Sequence, residues 1–148
     1  MEEENINKKL SEYNSILKEN DEIYHKAAKK IGISDCAFLI FYIMREKKGV
    51  VTQSTICDVF CQPKQTVNSA LKKLESEGYI KLEAIAGGRS KQINLTKKGK
   101  KFAEETIDKV IAGEQKALSG LTIEEQEAFL RLFRKFTKLL KENIEGGL

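Results

Sequence analysis

The feature that most constrains this chain is a change of hydrophobic period. Over most of its length apolar residues recur at spacings of three and four, the repeat of a helix with one face against a core. From Tyr79 to Leu95 they alternate around the pair Gly87-Gly88. A segment patterned for a helix does not settle as a strand, so the pattern predicts a mainly α chain with one small β-hairpin. With 148 residues and one proline, residues 1–148 read as a single domain with a real core, built mostly of helices.

The helices can be placed from their breakers and caps. Ile6, Leu10, Tyr13, Leu17 and Tyr24 mark one face of a first helix that Gly32 ends. A second helix runs from Asp35 to Lys47 behind a cap at Ser34 or Asp35. It is apolar nearly all round, as a central core helix must be. After Gly49, Thr52 caps a short helix whose inward residues are read as Ile56, Val59 and Phe60. A turn follows at Cys61 and Gln62, and Pro63 suits the first position of the next helix, which runs to Gly78. Two short helices joined by a tight turn form a helix-turn-helix. The hairpin comes next, and Thr96 then caps a long helix carrying Phe102, Ile107, Val110, Ile111 and Leu118. Thr122 to Glu125 is a capping box opening a last helix with Phe129, Leu132, Phe133, Phe136 and Leu140 on one side.

Charge and surface chemistry point to a polyanion. Between Gln62 and Lys101 ten Lys/Arg stand against three Asp/Glu, a local +7, while the whole chain carries only +4, so the rest is net acidic. In the helix after Pro63, Val67, Ala70, Leu71 and Leu74 share one wall and must face the core. At about 100° per residue the opposite wall is centred on Gln65, Ser69 and Lys72, flanked by Asn68, Lys73 and Thr66, with Lys64 at its start. These side chains suit base edges and phosphates, and no carboxylate stands among them. Glu75 and Glu77 lie at the far end. In the hairpin, Arg89 beside two glycines, with Ser90 and Lys91, is a tip able to approach a nucleic-acid backbone closely, and Arg suits a narrow, electronegative minor groove.

Three stretches together carry a resemblance to a known family. These are "VVTQSTICDVFCQPKQTVNSALKKLESEGYI", "GGRSKQINLTKKGKKF" and "LSGLTIEEQEAFLRLF". They resemble the MarR family of winged helix-turn-helix regulators over nearly the whole chain. The resemblance implies a DNA-binding lobe at 34–96 and helical dimerisation regions at 1–31 and 97–148. It also implies a homodimer that reads a pseudo-palindromic operator in double-stranded DNA, a repressor released by a small molecule or an oxidant. By family position Gln65, Thr66, Asn68 and Ser69 make the groove contacts, Arg89 enters the minor groove, and Thr52 and Gln53 contact phosphates. One departure stands out: many members have an Asp two residues before the wing Arg, and here that place holds Gly87. The residues themselves support dimerisation, because the terminal helices offer apolar stripes wider than a monomer of this size covers.

Other candidates carry less. Cys36, Cys57 and Cys61 invite an oxidant sensor, but free Cys is usually a buried small hydrophobe, and burial is the expectation. Those three with His25, the only histidine, show no zinc spacing, so neither metal nor cofactor is expected. No acid-base pair around His25, nucleophile elbow or phosphate loop suggests an enzyme. The resemblance places small lipophilic effectors in a cleft that Tyr13, Tyr24, Phe38 and Tyr42 are candidates to line. The polar, acidic N-terminus lacks a signal core and no apolar run is long enough for a bilayer, so a cytoplasmic chain without membrane contact is expected. The rival reading is a winged-helix module that binds protein through its basic hairpin; the carboxylate-free wall favours DNA.

Overall fold

The computed structural model describes residues 1–47, 49–60, 62–88 and 90–148. Its elements follow in the order α1 (Glu2–Ile31), α2 (Asp35–Glu46), α3 (Gln53–Phe60), α4 (Lys64–Ser76), β1 (Ile80–Ala84), β2 (Lys91–Leu95), α5 (Lys97–Glu105), α6 (Ile107–Ser119) and α7 (Ile123–Gly147). This is the winged-helix arrangement expected, mostly helical with a two-stranded antiparallel hairpin. The chain divides into two units, Met1–Lys109 and Val110–Leu148.

In the first unit the breakers act as their chemistry demands. Gly32 closes α1 in the left-handed region at φ 89°, a conformation that costs glycine nothing. Ser34 caps α2, its hydroxyl accepting from the Ala37 N–H at 3.1 Å. The helix read as apolar all round is central: Phe38, Ile40, Phe41 and Ile43 are buried against Ile56 of α3, Val67, Leu71 and Leu74 of α4, and Ile80 and Ile93 of the hairpin. Each such side chain contributes roughly 1.5–3 kcal/mol through removal from water. Phe41, Tyr79 and Phe102 pack as a trio with ring centroids 5.0–5.9 Å apart, tying α2, the start of β1 and α5 together.

Three expectations need correction. Pro63 is the N-cap rather than the first helical residue: its ψ of 137° is extended, and its carbonyl accepts from Val67 N–H at 3.1 Å. Val59 is not inward but 45% exposed, because the roll of α3 that buries Ile56 leaves Val59 at the edge of the interface. The Phe60 side chain and the Cys61 turn residue lie outside what is described. The long helix after Thr96 is two helices, broken at Thr106, whose hydroxyl donates to Phe102 O at 2.6 Å. The Thr106 N–H meets Ala103 O at 3.3 Å, an i−3 contact, so the ladder shifts register and the backbone leaves helical values at φ −127°, ψ −75°.

The hairpin pairs Ile80 with Leu95 through to Ala84 with Lys91, and Gly88 N–H closes its turn on Ile85 O at 2.9 Å. It has a partial third strand that sequence reading missed: Thr52 bridges Gln92, and Ile93 N–H donates to Val51 O at 2.8 Å. The β-branched run Val50-Val51-Thr52 was the signal for it. The far end of the hairpin is held as firmly. Lys98 Nζ donates to Glu77 O at 2.6 Å, the Thr96 hydroxyl to Gly78 O at 2.6 Å, and the Thr96 N–H to Tyr79 O at 3.0 Å. Three successive carbonyls leaving α4 are thus satisfied by the start of α5. Asp108 receives a two-pronged pair from Arg45, at 2.8 and 2.6 Å, which clamps the head of α6 to the tail of α2.

In the second unit the capping box forms as read: Thr122 Oγ1 accepts from Glu125 N–H at 3.1 Å while the Glu125 carboxylate accepts from Thr122 N–H at 2.9 Å. Gln126 donates to Leu118 O and Leu121 O, bracing the turn between α6 and α7. No residue of α7 is buried, and Ile123, Phe129, Leu130, Leu132 and Phe133 are 45–69% exposed. Among the described residues, no helix is long and apolar enough to cross a membrane.

Candidate nucleic-acid interface

The sequence-predicted wall of α4 takes the orientation its periodicity required. With Val67, Leu71 and Leu74 pinned in the core and Ala70 half-buried, Lys64, Gln65, Thr66, Ser69, Lys72 and Lys73 are exposed. Glu75 is turned away from them, its carboxylate accepting from Leu82 N–H at 3.2 Å at the hairpin. The solvent face of α4 therefore offers amides, hydroxyls and ammonium groups without a competing carboxylate. The Ser69 hydroxyl donates to Gln65 O at 3.0 Å, which leaves the oxygen lone pairs facing out.

Asn68 differs from its neighbours. It is half-buried on the flank of α4 that meets α3, and its Oδ1 accepts from Gln53 Nε2. Sequence reading assigned Asn68 to bases and Gln53 to phosphates; the fold makes them hydrogen-bond partners. Thr52 at the head of α3 exchanges hydrogen bonds with Thr55, its hydroxyl accepting from Thr55 N–H at 3.3 Å.

Arg89 lies outside the described residues. Lys91 is exposed on β2, and Ser90 reaches back, its Oγ accepting from Ser54 N–H at 3.4 Å and lying 3.2 Å from Ser54 Oγ. The base of the wing tip is thus fastened to the head of α3. A cavity of about 260 Å³ sits at this junction, lined by Gln53, Ser54, Cys57, Asp58, Lys64 and Ser90. Ser54 and Asp58 escaped a reading that took one helix wall at a time, since only the approach of α3, α4 and the hairpin gathers them.

The remaining candidates fall elsewhere. Burial, with a further contribution from Cys57, pushes the Cys36 thiol up, which makes it a poor nucleophile. Cys57 is half-buried, and Cys61 lies outside the described residues. His25 is exposed and paired: its Nδ1 stands 2.9 and 3.0 Å from the two Asp35 oxygens, joining α1 to the head of α2. Tyr24, Phe38 and Tyr42 form a row with centroids 6.3 and 6.4 Å apart, while Tyr13 lies three turns away along α1. A cavity of about 240 Å³ opens beside the row, lined by Asp21, Tyr24, His25, Asp35, Phe38, Leu39 and Gln62. Among the described residues, no three His, Cys, Asp or Glu side chains cluster as a metal site would require.

Comparison with known proteins agrees with this geometry. Residues 31–90 match the sequence model of the MarR family. The HTH-type transcriptional regulator YwoH of Bacillus subtilis is 30% identical over 105 residues, 71% of this chain and 76% of YwoH. YybA of the same organism, also an HTH-type transcriptional regulator, is 27% identical over 141 residues, 95% of this chain and 93% of its own. Among solved structures, Staphylococcus aureus MepR in its DNA-binding conformation superposes with a TM-score of 0.73 at 25% identity, covering 86% of this chain and 98% of MepR.

Proposed function

Because the chain belongs to the MarR family of transcriptional regulators, and so is not an enzyme, we propose that it is a homodimeric repressor that binds a pseudo-palindromic operator in double-stranded DNA. One observation carries the reading: the solvent face of α4 presents Lys64, Gln65, Thr66, Ser69, Lys72 and Lys73 with no carboxylate, beside a hairpin bearing Ser90 and Lys91, which Arg89 precedes in the sequence. In this reading residues 34–96 are the DNA-binding lobe. The exposed wall of α4, with Asn68 on its flank, enters the major groove, the wing tip meets the adjacent minor groove, and Thr52 and Gln53 at the head of α3 lie along the phosphates. MepR has been solved in a DNA-binding conformation, which supports a DNA partner for a chain of the same fold.

Dimerisation rests on residues 1–31 and 97–148. Ile6, Leu10, Ile16, Leu17 and Ile23 on α1 are 41–60% exposed, and α7 keeps its apolar side uncovered. A second copy supplies the missing cover and sets two copies of α4 about one DNA turn apart, roughly 34 Å. A small lipophilic molecule or an oxidant that changes this spacing releases the operator, and the protein works in the cytoplasm, where its DNA is.

The test is fluorescence anisotropy on duplex DNA from upstream of the gene against a scrambled duplex, across a salt series. Expected is preferential binding at physiological salt with two chains per site. Equal, steeply salt-labile binding to both duplexes overturns the sequence-specific reading.

A further inference from the structure

We propose that Arg45 is a positioning residue for operator readout: its two-pronged bond to Asp108 holds the head of α6 on the DNA-binding lobe and so sets where the dimerisation helices carry the second copy of α4. This rests on the dimeric, DNA-binding reading above. Arg45 Nε and Nη2 donate to the two Asp108 oxygens at 2.8 and 2.6 Å. A planar fork on a carboxylate fixes angle as well as distance, which a single ammonium does not. The pair joins the last turn of α2, the central core helix, to the second residue of α6. It is a quarter to a third exposed, so it can open without unfolding the core.

The break at Thr106 is what makes such a tie necessary. Thr106 N–H meets Ala103 O at 3.3 Å and Lys109 N–H meets Thr106 O at 3.1 Å, both i−3 contacts, so a regular helical ladder does not carry the direction of α5 into α6. Ile107, just beyond the break, is fully buried. Apolar burial is non-directional, so Ile107 fixes where α6 begins and leaves its tilt open. Asp108 projects about 100° around the helix from Ile107, and anchors on these two faces together define an axis. The hydrogen bonds from Asp108, with the charges of Asp108 and Glu104, push the Arg45 pKa up against the opposing effect of burial. The guanidinium thus faces carboxylates from both sides of the break. α6 runs for 13 residues, about 20 Å, so a tilt of about 10° at its head moves its far end by about 3 Å, the rise of one base pair.

The experiment measures affinity for a duplex that the wild-type protein selects from randomised DNA, and for a scrambled duplex, using wild type, Arg45→Gln, Arg45→Lys, Asp108→Asn and the double variant of Arg45→Gln with Asp108→Asn. Sedimentation velocity follows the dimer and thermal midpoints confirm folding. Arg45→Gln removes a positive charge and Asp108→Asn a negative one, so an effect of net charge on a polyanion has opposite signs in the two. Expected instead is a loss of preference for the selected duplex of roughly 3- to 10-fold in both, with dimer and salt slope unchanged. Arg45→Lys loses part of it, and the double variant loses no more than either single variant. Hydrogen exchange of the amides of residues 109–113 quickens in the same variants. Effects that follow net charge make the pair a bystander and overturn the proposal. An unchanged preference, or a loss that accompanies dissociation into monomers, also overturns it. Wild type that selects no sequence overturns the DNA-binding reading and this inference with it.

Discussion

Gly78 and Gly99 both lie at the junction of the hairpin and α5, and they make opposite demands. Gly78 sits at φ 82° with nothing closer to an added Cβ than Lys98 Cδ at 3.9 Å, so Gly78→Ala costs about 1–2 kcal/mol of left-handed backbone strain and no clash. Gly99 is an ordinary helical residue, where alanine gains about 1 kcal/mol of propensity. Its added Cβ, however, would stand 2.0 Å from Tyr79 O and 3.3 Å from Leu95 Cδ2. Backbone must therefore retreat by about 1 Å or more, against a closest real approach near 3.0 Å. That movement pulls on the Thr96 bonds to Gly78 O and Tyr79 O, each worth about 1 kcal/mol net. It also loosens the Phe41–Tyr79–Phe102 trio, and overpacking of this kind costs about 1–3 kcal/mol. Less the propensity gain, Gly99→Ala should destabilise by about 2–4 kcal/mol, more than Gly78→Ala, and lower the thermal midpoint by about 8–15 °C. Urea unfolding followed by circular dichroism, at one fixed protein concentration because association adds to stability, measures both variants. If Gly99→Ala proves as stable as wild type, or less damaging than Gly78→Ala, steric closeness at Tyr79 does not govern this junction.

Other perturbations have defined signs. Arg45 holds the Asp108 carboxyl below its ordinary value through their hydrogen bonds, although burial acts the other way. A depressed folded pKa stabilises above the ordinary Asp range and stops doing so as pH falls through the lowered value. The stability gap between wild type and Asp108→Asn should therefore be about 0.5–1 kcal/mol near neutrality, modest because the pair is a quarter to a third exposed, and should close in strong acid; a pH-independent gap refutes the assignment. Phe133→Asp places a charge on the uncovered side of α7 and should convert dimer to monomer in sedimentation velocity, while a dimer that persists places the interface elsewhere. Ser54→Ala removes the hydroxyl beside Ser90 and should change global stability by less than about 0.5 kcal/mol. It should nevertheless speed hydrogen exchange of the Ser90 and Lys91 amides, and unchanged exchange there means the wing is held by Val51 and Thr52 alone.

Local chemistry was legible in the sequence because it is settled within a few residues. Gly32 and Ser34 define the gap between α1 and α2, Thr122 and Glu125 make their box, and the alternation around Gly87-Gly88 yields the hairpin. The solvent wall of α4 could be drawn from the positions of Val67, Leu71 and Leu74, because a helix with one side in the core has its other side determined. Other features depended on which element lies opposite which. Thr106 breaks the long helix through a hydroxyl that propensity alone would have tolerated. Val59 was misplaced because two or three apolar positions on a short helix do not fix its roll closely, and the roll that buries Ile56 leaves Val59 at the edge. The meetings of Asn68 with Gln53, Ser90 with Ser54 and His25 with Asp35 span 15, 36 and 10 residues, and polar side chains carry no periodic signal of their partners. Sequence determined which faces must be buried and which segments turn, since those follow from hydrophobicity and backbone freedom. Only the tertiary structure decided which polar groups are spent on one another, because that depends on distances set by the packing of separate elements.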